Sequence, residues 1–243
     1  MTTKLFRNLL ALIPILLFTS NTLMQSANAK NITNTTLVKS LNNKSIGKTD
    51  AYTAWNLQGS GLSKEAFELA EIGYSNFIRK NFLLKQELLT IIDYSKPSSQ
   101  KRLFVLDMNK GKILFNTLVA HGHNSGYNYA TEFSNEEESH KSSLGFYITL
   151  NTYIGANGYS LKLKGCEKGI NDNAYNRAIV IHGAEYVSQN YIQSNGFLGR
   201  SWGCPALPLS DSKKIIDKIK NGSCVFVYSP SKKYLTKSRV FSS

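Results

Sequence analysis

From residue 62 to about residue 89 the apolar positions recur at helical spacing. Phe67, Ala70, Ile72, Tyr74, Phe77, Ile78 and Phe82 fall near one face, which predicts an amphipathic helix. Pro97 and three serines then break the pattern between residues 93 and 100. Beyond them the period shortens to that of strands. Residues 103–107, a turn at Asn109-Lys110-Gly111, and residues 113–119 predict a hairpin. Residues 121–140 are polar and rich in Gly, Asn and Ser, long enough for a functional loop. Strands are predicted at 145–149, 160–163 and 178–181. A helix follows at 209–220, with Ser210 or Asp211 as N-cap and Gly222 just past its end. A last strand at 224–228 precedes a basic tail. No internal repeat interrupts this order, and the fold class is mainly β with a few helices (α+β).

The N-terminus reads as an address. Lys4 and Arg7 precede the apolar stretch 9–18, and Ala27-Asn28-Ala29 offers small residues for cleavage. This is the layout of a secretory signal peptide, with cleavage expected after Ala29. Its core is too short for a stop-transfer helix, so no stable membrane insertion is expected after cleavage. No cysteine lies near the cut, against a lipid anchor. The expected location is the periplasm or cell-wall space. Residues 30–60, rich in Asn, Ser, Thr and Lys, read as a flexible leader.

The 243 residues, 42% of them hydrophobic, suffice for one good-sized domain and exclude wholesale disorder. The net charge of +13 becomes +11 once the first 29 residues are removed. Outside the inner membrane such a surface meets cell-wall polymer or lipid headgroups more readily than nucleic acid. On charge alone, solubility is explanation enough. Export also places three cysteines in a disulfide-permissive compartment, and an odd number leaves at least one unpaired. Cys166 and Cys224 could pair and leave Cys204 free; two separate buried thiols fit the count equally well.

The chemistry concentrates between residues 179 and 209. Ile179-Val180-Ile181-His182-Gly183 is a buried-looking strand that delivers a histidine at its end. Gly199-Arg200-Ser201-Trp202-Gly203-Cys204-Pro205 sets a cysteine on a sharp turn between glycine and proline. Backbone amides at such a turn, with an adjacent imidazolium, lower a thiol pKa, and the same amides can hold the negative oxygen of a tetrahedral intermediate. A histidine would serve as base toward the thiol and acid toward the leaving amine. A lone His and Cys are usually unrelated; export, the odd cysteine and the strand-terminal histidine raise the odds. His121 and His123 form an HxH pair, but no third ligand stands at a zinc spacing, so no metal is expected. Tyr186 and Tyr191 are read as packing residues or a lid, and Glu136-Glu137-Glu138 as a solvated face.

His182-Gly183 followed by Ser201-x-Gly203-Cys204 resembles the signature of the L,D-transpeptidase (YkuD-like) family. Residues 143–148 and 221–227 are similar to that family's upstream and closing strand segments. Residues 119–126 and 199–207 resemble most the divergent branch of murein L,D-transpeptidase catalytic domain proteins. The resemblance spans about residues 60–230. It implies a β-sandwich catalytic domain and a thioester on cysteine formed from a peptidoglycan stem peptide, with the acyl group passed to an amine or to water. By position, Cys204 would be nucleophile and His182 general base and acid. Gly203 and Cys204 would supply oxyanion amides, with Ser201 bracing the turn. Gly183, Trp202, Arg200 and His121 are the expected substrate contacts. No metal or organic cofactor is implied, and a monomer is expected. The sequence departs from the common motif at Trp202 and Ala206, where His or Lys and Arg or Asn are usual. The His-to-Cys interval is also longer. A substrate group held by the missing arginine would need another partner, Arg200 or Arg177.

The implied activity is that of an exported L,D-transpeptidase that cross-links stem peptides. Alternatives are an L,D-carboxypeptidase using the same acyl-enzyme, attachment of a protein to the wall, and an inactive peptidoglycan-binding module. A sortase would need an arginine shortly after the cysteine, and none occurs before Arg239; papain-like peptidases order Cys before His. The expected organisation is signal peptide 1–29, leader 30–60, helical segment 61–97, catalytic domain 98–232 and basic tail 233–243.

Overall fold

The computed structural model describes residues 50–241. The expected signal peptide, its expected cleavage site and most of the expected leader lie outside the described residues. The end of the leader, however, is folded. Helix α1 (Ala51–Ala54) and a 3-10 turn (Leu57–Ser60) bury Tyr52 and Leu57, and Tyr52 Oη donates to the Leu62 carbonyl at 2.6 Å.

Helix α2 (Lys64–Arg79) starts where Ser63 caps it by accepting the Ala66 N–H. It buries Ala66, Phe67, Leu69, Ala70, Tyr74 and Phe77. Gly73 lets the helix backbone sit against the Phe146 ring, where an added Cβ would lie 2.0 Å from it. The helix stops well short of residue 89. Residues 88–93 form instead a strand, β1 (Leu88–Asp93), buried along its whole length. A central strand covered on both faces has no polar alternation, and an apolar run of that kind extends a helical pattern as readily as it makes a strand.

The remaining strands are β2 (Leu103–Asp107), β3 (Lys112–Thr117), β4 (Gly145–Gly155), β5 (Gly158–Gly165), β6 (Val180–Ala184), β7 (Ala206–Pro208) and β8 (Cys224–Tyr228). They form one hydrogen-bonded sheet in the order β3-β2-β1-β8-β4-β5-β6-β7. Most neighbours are antiparallel, but β1 with β8 and β6 with β7 run parallel. The sheet curls until its edges meet: just past β3, Ala120 bridges Ala206 of β7, and Gly122 bridges Ser201. Leu118, Ala120, Ala184, Val187, Leu198 and Ala206 pack as one apolar cluster at this seam.

Helix α3 (Gln189–Asn195) lies on the surface between β6 and β7, and α4 (Leu209–Ile219) follows β7 directly. Pro208 occupies the N-cap position of α4, with no side-chain cap bond, so Ser210 and Asp211 fall inside the first turn rather than capping it. Asp211 instead accepts from Thr117 Oγ1 at 2.6 Å, tying α4 to β3. The basic tail is folded too. Helix α5 (Lys232–Lys237) buries Tyr234 and Leu235, and Phe241 packs beyond it. The buried Glu167 carboxylate accepts from Phe146 N–H at 2.8 Å, from Tyr234 Oη at 3.0 Å and from Ser238 Oγ, which fastens the tail to β4. All three cysteines are free thiols. No described helix is long and apolar enough to cross a membrane.

Candidate active site

The site lies where the curled sheet's edges meet. Strand β6 carries His182, and its parallel partner β7 begins two residues after Cys204. In register His182 stands opposite Ala206, so Cys204 comes level with Val180. The Val180 N–H donates to Cys204 Sγ at 3.5 Å, and the thiol donates to the Ala178 carbonyl at 3.6 Å. Ala178 takes a left-handed conformation, φ +51°. Burial pushes the Cys204 thiol up, while the Val180 amide and the Arg177 charge pull it back down.

Ser201 shapes the turn. Its Oγ accepts the Gly203 N–H at 3.1 Å and donates to the Cys204 carbonyl at 2.6 Å. This corrects part of the expected oxyanion arrangement, because the Gly203 amide is already committed. The Cys204 amide is hydrogen-bonded to nothing among the described residues. Gly203 has φ +119°, and a Cβ there would lie 2.8 Å from the Lys141 carbonyl and 3.4 Å from Arg177 Nη2. Only glycine fits this corner.

His182 is 3% exposed. Its Nδ1 lies 3.0 Å from the Gly183 carbonyl, which can only accept, so the proton sits on Nδ1 and Nε2 keeps its lone pair. Burial lowers its pKa, which leaves the ring neutral at pH 7. No hydrogen bond joins this ring to Cys204 among the described residues; the sulfur is turned to residues 178 and 180.

The expected substrate contacts separate into two groups. Trp202 is 76% exposed and stacks on His140, with centroids 5.1 Å apart and planes 14° apart. Arg200 is partly exposed, lies over Tyr127 at 4.4 Å, and donates to the His123 and Gly126 carbonyls at 3.2 and 3.1 Å. Both stand at the surface of the Cys204 turn. His121 does not, and the substrate-side role expected for it is corrected. It is wholly buried, bonded through Nδ1 to Arg102 at 2.8 Å and through Nε2 to the Gly126 carbonyl at 3.2 Å. Gly183 faces α4, where a Cβ would meet Ser212 Oγ at 2.6 Å, so packing accounts for it.

Sequence reasoning missed Arg102, a fully buried cation that also donates to the Val119 and Lys96 carbonyls. Its place beside Lys101 and Gln100 makes it look like an ordinary loop charge. Tyr186, between His182 and Cys204, is half-buried against the apolar cluster at the seam, and Ile192 of α3 packs there too. A cleft of about 480 Å³ beyond the end of β6 is lined by Leu118, Ala184, Val187 and Leu209, but not by Cys204 or His182. Among the described residues no three His, Cys, Asp or Glu side chains are grouped to hold a metal ion.

Residues 58–228 match the family model described as L,D-transpeptidase catalytic domain. The chain belongs to that family. No curated protein sequence matches it. Among solved structures it is similar to an L,D-transpeptidase from Mycobacterium smegmatis, at 13% identity and TM-score 0.37 over 59% of each chain. An L,D-transpeptidase from Stackebrandtia nassauensis aligns at 18% identity and TM-score 0.37 over 66% of each chain. The helical cell shape determining protein Pgp2 from Campylobacter jejuni aligns at 15% identity and TM-score 0.39, over 60% of this chain and 48% of that one. The aligned part of this chain spans about three fifths of the length of the Mycobacterium smegmatis relative.

Proposed function

We propose that this protein is an exported, cysteine-dependent L,D-transpeptidase that takes peptidoglycan stem peptides as acyl donors. The observation that carries the reading is the setting of Cys204: a free thiol on a Ser201-braced turn, beside the strand that bears His182. In this scheme Sγ leaves the Ala178 carbonyl for His182, whose Nε2 lone pair accepts the thiol proton. The thiolate attacks the carbonyl that joins the L-centre of the stem to D-alanine. A C–S bond forms, and the negative oxygen is met by the Cys204 amide. The C–N bond then breaks, and D-alanine leaves with the proton returned by His182. An amine of a second stem displaces sulfur and restores the free thiol. Trp202 and Arg200 border the turn and contact the substrate.

Incubation of the protein with tetrapeptide-stem muropeptides tests this. Cross-linked dimers with released D-alanine are expected. Tripeptide monomers would make it an L,D-carboxypeptidase with the same acyl-enzyme, and unchanged substrate would leave a wall-binding module. Cys204→Ala should abolish turnover, whereas Cys166→Ala and Cys224→Ala should affect mainly stability. Full activity in the Cys204 variant would remove the nucleophile from the scheme.

A further inference from the structure

The residue two positions after Cys204 is Ala206, so the segment following the nucleophile brings no cation to it. The fold brings one from elsewhere. Arg177 stands in the turn before β6, half-buried against the loop that leads into β4. Its Nη1 donates to the Ser134 carbonyl at 2.8 Å and to Ser143 Oγ at 2.5 Å. Its Nη2 donates to Ser139 Oγ at 3.1 Å and to the Lys141 carbonyl at 2.6 Å. Four of the five guanidinium N–H groups are thus committed within the protein, which leaves little of the fork to grip a substrate carboxylate. The same Nη2 and the same Lys141 carbonyl close on the corner that only Gly203 can turn. Loop, cation and nucleophile turn meet there.

We propose that Arg177 is a positioning residue with two separable effects. Its planar fork holds the 134–143 loop against the Gly203–Cys204 turn, and its charge favours the anionic forms of the site, the Cys204 thiolate and the oxyanion derived from the bound acyl group. This rests on Cys204 being the nucleophile. The effect of that charge depends on what else faces the thiol. From the elements packed around it these are His182, neutral on β6, and the protonated phenols of Tyr94 and Tyr186. Arg177 itself faces Tyr147, Cys204 and Glu137. No carboxylate acts on the sulfur, and the guanidinium is the charged group that draws its ionisation down against burial.

Two variants separate the effects. Arg177→Gln keeps hydrogen-bonding capacity and removes the charge; Arg177→Lys keeps the charge and loses the fork. The readout is the rate of Cys204 carboxamidomethylation by iodoacetamide against pH, followed on the Cys204 peptide by mass spectrometry. It needs neither substrate nor turnover. In the Gln variant the midpoint should rise by about one pH unit, slowing alkylation at pH 7 about tenfold. In the Lys variant it should stay within a few tenths of a unit, while proteolysis within residues 134–143 becomes faster. An unshifted midpoint in the Gln variant, or equal shifts in both, overturns the charge role. Unchanged proteolysis in the Lys variant overturns the clamp. Should the Gln variant not fold, a midpoint raised by a full unit in the Lys variant overturns the charge role by itself. Retained turnover in Cys204→Ala would be a separate failure, that of the functional reading, and would leave the Arg177 shift standing.

Discussion

The buried Arg102–His121 pair shows how much of the site is held by side chains that never meet solvent. Arg102 donates to His121 Nδ1, so the ring proton lies on Nε2 and is donated to the Gly126 carbonyl. Burial, reinforced by the Arg102 charge, lowers the His121 pKa to about 3. The unfolded chain therefore takes up a proton near pH 6.5 that the folded protein refuses until about pH 3. Its contribution to stability is complete above pH 6.5 and is lost as pH falls through that window, by up to about 1.4 kcal/mol per pH unit. His121→Gln, which keeps an acceptor and a donor, should flatten this dependence. Urea midpoints at pH 7, 5 and 4 measure it, and parallel curves for the two proteins would refute the assignment. The family resemblance made this histidine an expected substrate contact. Its burial follows from Tyr94, which packs edge-on against the ring, and from the turn that brings the Gly126 carbonyl over it, neither of which is written in a local pattern.

At the scale of elements, the hairpin of β2 and β3, the start of β4 and all of β8 were legible because their apolar runs are bounded by turn residues. Helix α4 was legible from its amphipathic period. Strands β1 and β7 were not. β1 is apolar on both faces because β2 and β8 flank it and helix α2 packs on it, so its pattern carries no period-two signature. β7 has three residues, two of them prolyl neighbours, and exists because β6 offers a parallel edge. The central place of β1 predicts its sensitivity. Ile91 is fully buried, and Ile91→Ala should cost about 2–5 kcal/mol through lost transfer energy and the cavity left behind. Equilibrium unfolding in urea checks this, and a loss below about 1 kcal/mol would mean that the strand's neighbours close the gap. Of the candidate site, Cys204 and His182 could be picked out, since each stands beside a glycine or strand end with its own local signal, and Ser201 through the family motif. Arg177 offered no such signal for its actual work, because its four acceptors lie 34 to 43 residues away in the chain.

For the molecule as a whole, the ends matter more than their composition suggests. Residues 232–241 are basic and residues 50–60 carry only Asp50 as a charge, yet both segments are packed down by a few apolar anchors. Glu167 sets the C-terminal arrangement. Burial raises its pKa, and donors from Phe146, Ser238 and Tyr234 act in the opposite direction. Two of those donors come from residues after 231. Deletion of residues 232–243 would leave this carboxylate with one protein donor and expose the Phe146 and Phe226 rings that Tyr234 and Phe241 cover. A thermal midpoint lower by several degrees is expected, since one or two kcal/mol translates to that order in a domain of this size. An unchanged midpoint would show the tail to be dispensable for folding.

The sequence by itself determined the secondary elements with one apolar face, the thiol and imidazole on which the proposed chemistry rests, and the family to which they belong. These are local properties: periodicity, turn residues and short motifs are written in consecutive positions. The tertiary structure alone decided that the sheet's edges meet at Ala120–Ala206 and that His121 is buried on Arg102. It alone set Arg177 beside the turn that carries Cys204. Each of these depends on which distant segments lie side by side. Curling of a twisted sheet decides that, and no window of neighbouring residues contains it.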